Sequence, residues 1–219
     1  MKALVAGSTG KTGGHIVRLL LEKGIEVRAL VRDIDKANSA LPETVEKVVG
    51  DVLNKDSLIA ALAGCDILLS ATGAAPSFDP TGPYQVDYEG NKNLVDAAKT
   101  AGVDQLVMVS SLCVSKIFHP LNLFWGILYW KKQAEDYLKA SGVPYTIVRP
   151  GGLKDEDNAE AIVMSPADTL FEGSIPRVKV AQVCVDAIGQ SAAKNKVLEI
   201  VTSEEAAGQP MDALFASVG

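Results

Sequence analysis

The sequence predicts an α/β fold: a doubly wound parallel sheet in one domain over residues 1–219, with a small substrate-side insertion at 151–177. Three observations carry this expectation. Short apolar runs alternate with helix-period segments along the whole chain, the pattern of repeated β–α units. The runs are continuous and rich in β-branched residues instead of alternating with polar ones, so both faces of each strand are covered. The first run also enters a helical pattern directly through a glycine-spaced turn, "GSTGKTGG".

Taken in order, the strands are expected at 2–6, 26–31, 45–50, 66–71, 104–110, 145–150 and 197–201. Helical patterns lie between them at 11–23, 34–40, 55–63, 84–101, 122–141, 178–191 and 209–217. Strands joined through helices imply right-handed crossovers and a parallel sheet. The longest stretch without clear periodicity is 151–177. Ligands of such sheets bind beyond the carboxyl ends of the strands, so a late insertion there reads as a cover for a substrate, or as a surface loop.

Composition narrows the function. The net charge of −6, with no basic stripe, argues against a nucleic-acid partner. Cys65, Cys113 and Cys184 form no C-x-x-C pair and read as reduced thiols of a cytosol-like compartment. With His15 and His119 the only histidines, no metal site is expected. No signal peptide is expected before the first strand. The most apolar stretch, 117–130, is shorter than the roughly 20 residues of a spanning helix. A cytoplasmic location is expected, or the plastid stroma for a processed chain.

The opening turn contains Gly10-Lys11-Thr12, the ending of a triphosphate loop. That loop needs G-x-x-x-x-G-K-[ST], and Val5 stands where its first glycine belongs. Gly7-x-x-Gly10-x-x-Gly13 fits a Rossmann-like dinucleotide turn, in which a helix N-terminus receives a pyrophosphate. Arg32, just beyond the second strand, favours the 2′-phosphate of NADP, with Lys11 and Arg28 as further cations; Asp33 reads as the cap of the next helix. Asp51 of "GDV" could accept from an adenine amino group. The small residues of "ATGAA" let the chain pass close to a cofactor.

These motifs resemble the short-chain dehydrogenase/reductase superfamily in its atypical NAD(P)H-binding, NmrA-like branch. "GSTGKTG", "VRALVRD", "GDV", "VDYEGNKNLVDAAKTAGV", "LVMVSS", "KKQAE" and "YTIVRPGGL" follow that branch in order and spacing. More narrowly, "HPLNLFWGILYWKKQAEDYLKASGVPYTIVRPGGL" resembles the dehydrogenase-like, redox-sensing subunits of the chloroplast import translocon and their relatives in photosynthetic organisms. The resemblance implies NADP contacts at Gly7, Thr9, Gly10, Lys11, Thr12, Gly13, Arg32, Asp51, Val52, Ala71, Thr72, Gly73, Ser110, Lys131, Pro150 and Gly151. It implies catalytic roles for Ser110 and Lys131.

One expected group is missing. Active members of the superfamily carry Tyr-x-x-x-Lys, because residues four apart share a helix face and the lysine can lower the tyrosine pKa. Lys131 matches that lysine, but Ile127 stands four residues before it. Tyr129 is two residues away from Lys131 and neighbours only Lys132. Cys113 reads as a small hydrophobe. The acidic run Asp155, Glu156, Asp157 reads as a solvated loop, with repulsion of anionic substrates as its functional alternative. Phe118, Phe124, Trp125, Tyr129 and Trp130 read as core packing for at least half, and as a docking surface for a protein partner or apolar ligand wherever they are exposed. Two functions follow: an NADPH-dependent reductase of a small carbonyl or conjugated substrate, or a weakly catalytic NADP(H) redox sensor that binds a protein.

Overall fold

The computed structural model describes residues 1–74, 79–123 and 125–219. Its centre is an eight-stranded sheet. The strands are β1 (Lys2–Ala6), β2 (Glu26–Val31), β3 (Glu46–Val49), β4 (Ile67–Ser70), β5 (Gln105–Val109), β6 (Tyr145–Pro150), β8 (Ala161–Pro166) and β10 (Lys196–Ser203), in the order β3-β2-β1-β4-β5-β6-β10-β8. All pairs are parallel except β10 with β8. A separate two-stranded parallel ribbon joins β7 (Gly152–Lys154) to β9 (Ser174–Pro176).

The helices are α1 (Lys11–Glu22), α2 (Ile34–Ala40), α3 (Lys55–Leu62), α4 (Asn91–Ala101), α5 (Ile127–Ala140), α6 (Arg177–Asp186) and α7 (Met211–Ser217). They cover the sheet on two sides, and β1 shows why. Its Ala3 and Val5 pack with Ile16 and Leu20 of α1 and Val180 and Cys184 of α6. The intervening Leu4 and Ala6 pack with Leu58 of α3, Leu94 of α4 and Leu138 of α5. Successive side chains of a strand point to opposite faces, so a continuous apolar run is what two covered faces require.

Within 151–177, where the sequence has no clear periodicity, β7, β8 and β9 form, and β8 closes the sheet edge as an antiparallel strand against β10. Two expected helices differ in their bounds. The expected helix 122–141 begins only at Ile127, because Gly126 has φ +70° and a short 3-10 turn occupies Pro120–Leu123. The helical pattern of 84–101 is two structures in line, a π-helical turn over Pro83–Gly90 running into α4.

Helices α4 and α5 are tied by Tyr137, whose hydroxyl donates to Asp96 Oδ1 at 2.7 Å. That bond, with burial second, pushes the phenol up to about 12 from its ordinary 10. A raised folded-state pKa gives stability that is present below the unfolded value and lost as pH rises through the folded one. Denaturant unfolding should therefore show the wild type weakening between about pH 10 and 12. Tyr137→Phe, less stable at pH 8, should show a smaller alkaline decline.

Candidate dinucleotide site

The carboxyl ends of β1 to β6 lie along one edge of the sheet, and the strand order switches direction between β1 and β4. The sequence-predicted site residues fall along that edge. Gly7 follows β1, Arg32 follows β2, and Asp51 and Val52 lie just past β3. Ala71, Thr72 and Gly73 follow β4, Ser110 follows β5, and Pro150 and Gly151 close β6.

The glycine turn is built by close backbone approach. Gly7 has φ +79°, and a Cβ there would lie 2.5 Å from Ala71 O. A Cβ on Gly13 would lie 2.1 Å from Gly7 O. Gly10 is the N-cap of α1 and donates to Gly7 O at 3.0 Å. Among the described residues no side chain caps this helix, so its first-turn N–H groups suit an external anion. Thr9 and Lys11 are exposed beside it, and Thr12 is half-buried.

The cations sort differently from expectation. Arg32 is exposed, and no ion pair or hydrogen bond holds its guanidinium among the described residues. Asp33 is the cap of α2, accepting from the N–H groups of Asp35 and Lys36 at 3.1 Å each. Arg28 is not a second cation for this site. Its guanidinium is spent on Glu46 at 2.9 Å and on the carbonyls of Ala61 and Ala63 at 2.7 and 2.8 Å. Lys11 pairs with Asp155, which also takes Arg177, so a carboxylate of the acidic run joins the glycine loop to β7 and α6. Those two cations hold the Asp155 carboxyl below its ordinary range, Lys11 contributing most. Asp155 is therefore an ion-paired bridge and not a free loop charge.

Beyond β3, Asp51 Oδ1 accepts from Leu53 N at 2.9 Å. Val52 presses on the π-helical turn so closely that a Cβ on Gly90 would lie 2.7 Å from Val52 Cγ2. Beyond β4, Thr72 Oγ1 lies 3.0 Å from Ser70 Oγ and 3.3 Å from Asn91 Oδ1. Ala75, in the quoted "ATGAA", lies outside the described residues. Lys131 Nζ sits 2.8 Å from Asp87 Oδ1, and Asp87 is fully buried. At the end of β5, Ser110 Oγ is buried with no hydrogen-bond partner among the described residues. Pro150 O accepts from Leu112 N, and Gly151 N donates to Ile200 O, so both are held by the chain after β5 and by β10.

Ile127, in the place of the tyrosine, packs against a small apolar cluster of Leu112, Cys113, Val114, Leu128 and Val201. Tyr129 does not take over. It is 45% exposed and packs edge-on against Trp130, while Lys132 pairs with Asp136 at 2.5 Å. Cys113 is buried, its thiol 3.2 Å from Phe171 O and pushed up by burial, as suits an unreactive hydrophobe. His15 lies 3.0 Å from Arg18, and His119 accepts from Leu121 N within its loop.

The aromatic segment divides. Trp130 packs between Tyr84 and Tyr88, with ring centroids 4.9 and 5.7 Å away, whereas Phe118 and Trp125 are exposed. Phe124 lies outside the described residues. Among the described residues no helix is long and apolar enough to cross a membrane.

The residues fit a dinucleotide. Gly7 and Gly13 leave a cradle that a Cβ would fill, and at the same edge the buried Ser110 hydroxyl has no hydrogen-bond partner among the described residues. Sequence reasoning missed Asp87 and Asn91 beneath this edge. The available signal was a carboxylate on the same helix face as Gly90 and Leu94, since a charge on a buried face needs a partner.

Fold and turn together define a Rossmann-type nucleotide-binding protein. Residues 7–191 match the family described as NAD(P)H-binding, and the chain belongs to that family, among the atypical short-chain dehydrogenases/reductases. It is 44% identical over 230 residues to an uncharacterised chloroplast protein of Arabidopsis thaliana, covering 99% of this chain and 82% of that one. It is 37% identical over 241 residues to chloroplast protein TIC 62 of Pisum sativum, spanning 98% of itself but only 45% of that protein. Sanguinarine reductase of Eschscholzia californica is 32% identical over 263 residues, covering 100% and 96% of the two chains. A solved structure from Bacillus halodurans, classed with the NAD-dependent epimerases/dehydratases, superposes with a TM-score of 0.88 at 28% identity over 99% of both chains.

Proposed function

We propose that this chain binds NADP(H) along the carboxyl edge of its parallel strands and reduces a small carbonyl or conjugated substrate without a tyrosine acid. The observation that carries this reading is Ser110 Oγ, a buried hydroxyl without a hydrogen-bond partner among the described residues, at the end of β5. The reductase among the relatives, matched over nearly its whole length, supports the same class of reaction.

In this reading the first-turn N–H groups of α1, with Gly7, Thr9, Gly10, Thr12 and Gly13, receive the pyrophosphate. Lys11 and Arg32 meet the 2′-phosphate, Asp51 and Val52 border the adenine, and Ala71, Thr72 and Gly73 let the chain pass close. Lys131 holds the nicotinamide ribose, and Pro150 and Gly151 bound the far end. A dinucleotide held there would supply a hydride. Ser110 holds the substrate oxygen and relays a solvent proton to it, while Ile127 keeps the neighbouring wall apolar.

Purified protein should oxidise NADPH with at least one member of a carbonyl, quinone and tetrapyrrole panel; no turnover across the panel overturns the reductase reading. The cofactor preference has its own test. Lys11→Ala with Arg32→Ala should weaken NADPH by about tenfold to a hundredfold, as loss of charged hydrogen bonds implies. NADH should change little, and equal losses for the two would overturn the NADP assignment.

A second reading rests on exposed Phe118, Trp125 and Tyr129. Here the chain reports the NADP(H) redox state to a protein docked on 117–130. Equal affinity for NADP+ and NADPH, with no change in hydrogen exchange of 151–177, would sink it, because ligands that bind two states alike shift neither. The chloroplast relatives support the plastid stroma over the cytoplasm as its location.

A further inference from the structure

We infer that Asp87 is the positioning residue of this site, acting through Lys131. The assignment rests on the dinucleotide reading above and deepens it. Lysine is a flexible point charge on a four-carbon stem, and the partner that usually shares its helix face, a tyrosine four residues earlier, is here Ile127. Something else must fix the ammonium. Asp87 is 0% exposed, and its Oδ1 has Lys131 Nζ as its sole partner among the described residues, at 2.8 Å. Its other oxygen, Oδ2, accepts from Ala74 N at 3.3 Å.

The carboxylate reaches this place because the helix is wound as a π turn over Pro83–Gly90. Such a turn is rare and occurs frequently at functional sites. Asn91 stabilises it from inside, its Nδ2 donating to Val86 O at 3.3 Å and Asp87 O at 3.1 Å. Asn91 Oδ1 accepts from Ser70 Oγ at 2.8 Å, which pins the turn to the end of β4. The loop after β4 then crosses the ion pair: a Cβ on Gly73 would lie 3.6 Å from Asp87 Oδ1 and 3.8 Å from Lys131 Nζ. One carboxylate thus sets the position of the lysine against the loop that is expected to pass beside the cofactor.

A merely structural Asp87 would staple α5 to the π turn and affect every ligand alike. A positioning Asp87 affects only ligands that reach Lys131. The test is binding of NADPH and of 2′,5′-ADP, which lacks the nicotinamide ribose, to wild type, Asp87→Asn, Lys131→Met and the double variant. Asp87→Asn should weaken NADPH by about tenfold and leave 2′,5′-ADP within about twofold. In the Lys131→Met background, Asp87→Asn should add no further loss, since the effect passes through the lysine. Equal losses for the two ligands, or the same NADPH loss with and without Lys131, overturns the assignment. Should Asp87→Asn fail to fold, Asp87→Glu keeps the charge and moves the carboxylate by about 1.5 Å. Selective loss of NADPH in that variant supports the assignment, and unchanged or equal binding of the two ligands overturns it. A wild type that binds neither ligand overturns the dinucleotide reading itself, and this assignment with it.

Discussion

Gly13→Ala is expected to cost about 4 kcal/mol or more of folding stability, the range of severe backbone clashes, and to abolish NADPH binding. Its Cβ would stand 2.1 Å from Gly7 O, a backbone atom that cannot rotate away. Gly7 is itself held at φ +79° against Ala71 O, so relief at one contact tightens the next. The adjacent glycine is the control. A Cβ on Gly14 meets only Ser8 O at 3.7 Å, an ordinary contact, and alanine suits a helix interior better than glycine by about 1 kcal/mol. Gly14→Ala should therefore fold as well as wild type or better and bind NADPH normally. Urea unfolding and NADPH fluorescence titration measure both. Similar behaviour of the two variants would mean that the close approach of β1, α1 and the loop after β4 is not what shapes this turn.

Arg149→Met should cost about 3–5 kcal/mol, the penalty for leaving buried carboxylates without their cation. Arg149 is fully buried and forks onto Glu135 of α5, Nε to Oε1 at 2.9 Å and Nη2 to Oε2 at 2.7 Å. It also donates to Asp168 at 2.8 Å and Glu199 at 3.1 Å. Glu199 in turn accepts the backbone N–H groups of Asp168, Thr169 and Leu170 at 2.9, 3.0 and 2.7 Å. The network therefore joins β6, β10, α5 and the turn after β8. Burial by itself would pull the arginine down, but its bonds to Glu135 and then to Glu199 and Asp168 raise it overall, so it stays charged at all working pH.

Asp168 is opposed by burial, yet hydrogen bonds from Ser115 and Arg149 leave its carboxyl below the ordinary range. A lowered folded-state pKa gives stability that is present above the unfolded value and lost as pH falls through the folded one. This turn should therefore loosen in acid below about pH 4. Arg149→Lys should recover little, because an ammonium cannot reproduce the two parallel bonds to Glu135. Equilibrium unfolding at neutral pH tests the magnitude, and a loss under about 1 kcal/mol would place the network among the weakly contributing ion pairs.

Much of this molecule was legible in single segments. The inner strands β1, β2, β4, β5, β6 and β10 could be placed because each carries an apolar run buried on both faces, and this demand leaves its mark residue by residue. The edge strand β3, with Val49 61% exposed, was legible only from its β-branched pair Val48 and Val49. The glycine turn was legible for the same local reason, since three spaced glycines between a strand and a helix have few other uses. Asp33 could be read as a cap because capping involves only its next three residues. By contrast, β7 and β9 are three residues each, too short for a period to show, and they pair across a gap of some twenty residues. Strand β8 is antiparallel because it lies on the free edge of β10, a placement that no local pattern encodes.

The sequence alone determined that a dinucleotide-type sheet with a glycine turn would form and that Ile127 would stand where a proton donor is expected. Only the tertiary structure decided what the charged groups do. It took Arg28 out of the site and onto Glu46, tied Lys11 to Asp155, left Arg32 exposed with no ion pair among the described residues, and buried Asp87 beneath Lys131. The physical reason is range. Apolar periodicity and backbone freedom act over a few residues and are written locally. The partner of a charge is chosen by which elements meet in space, and for Lys131 that partner lies 44 residues away in sequence, across a π turn.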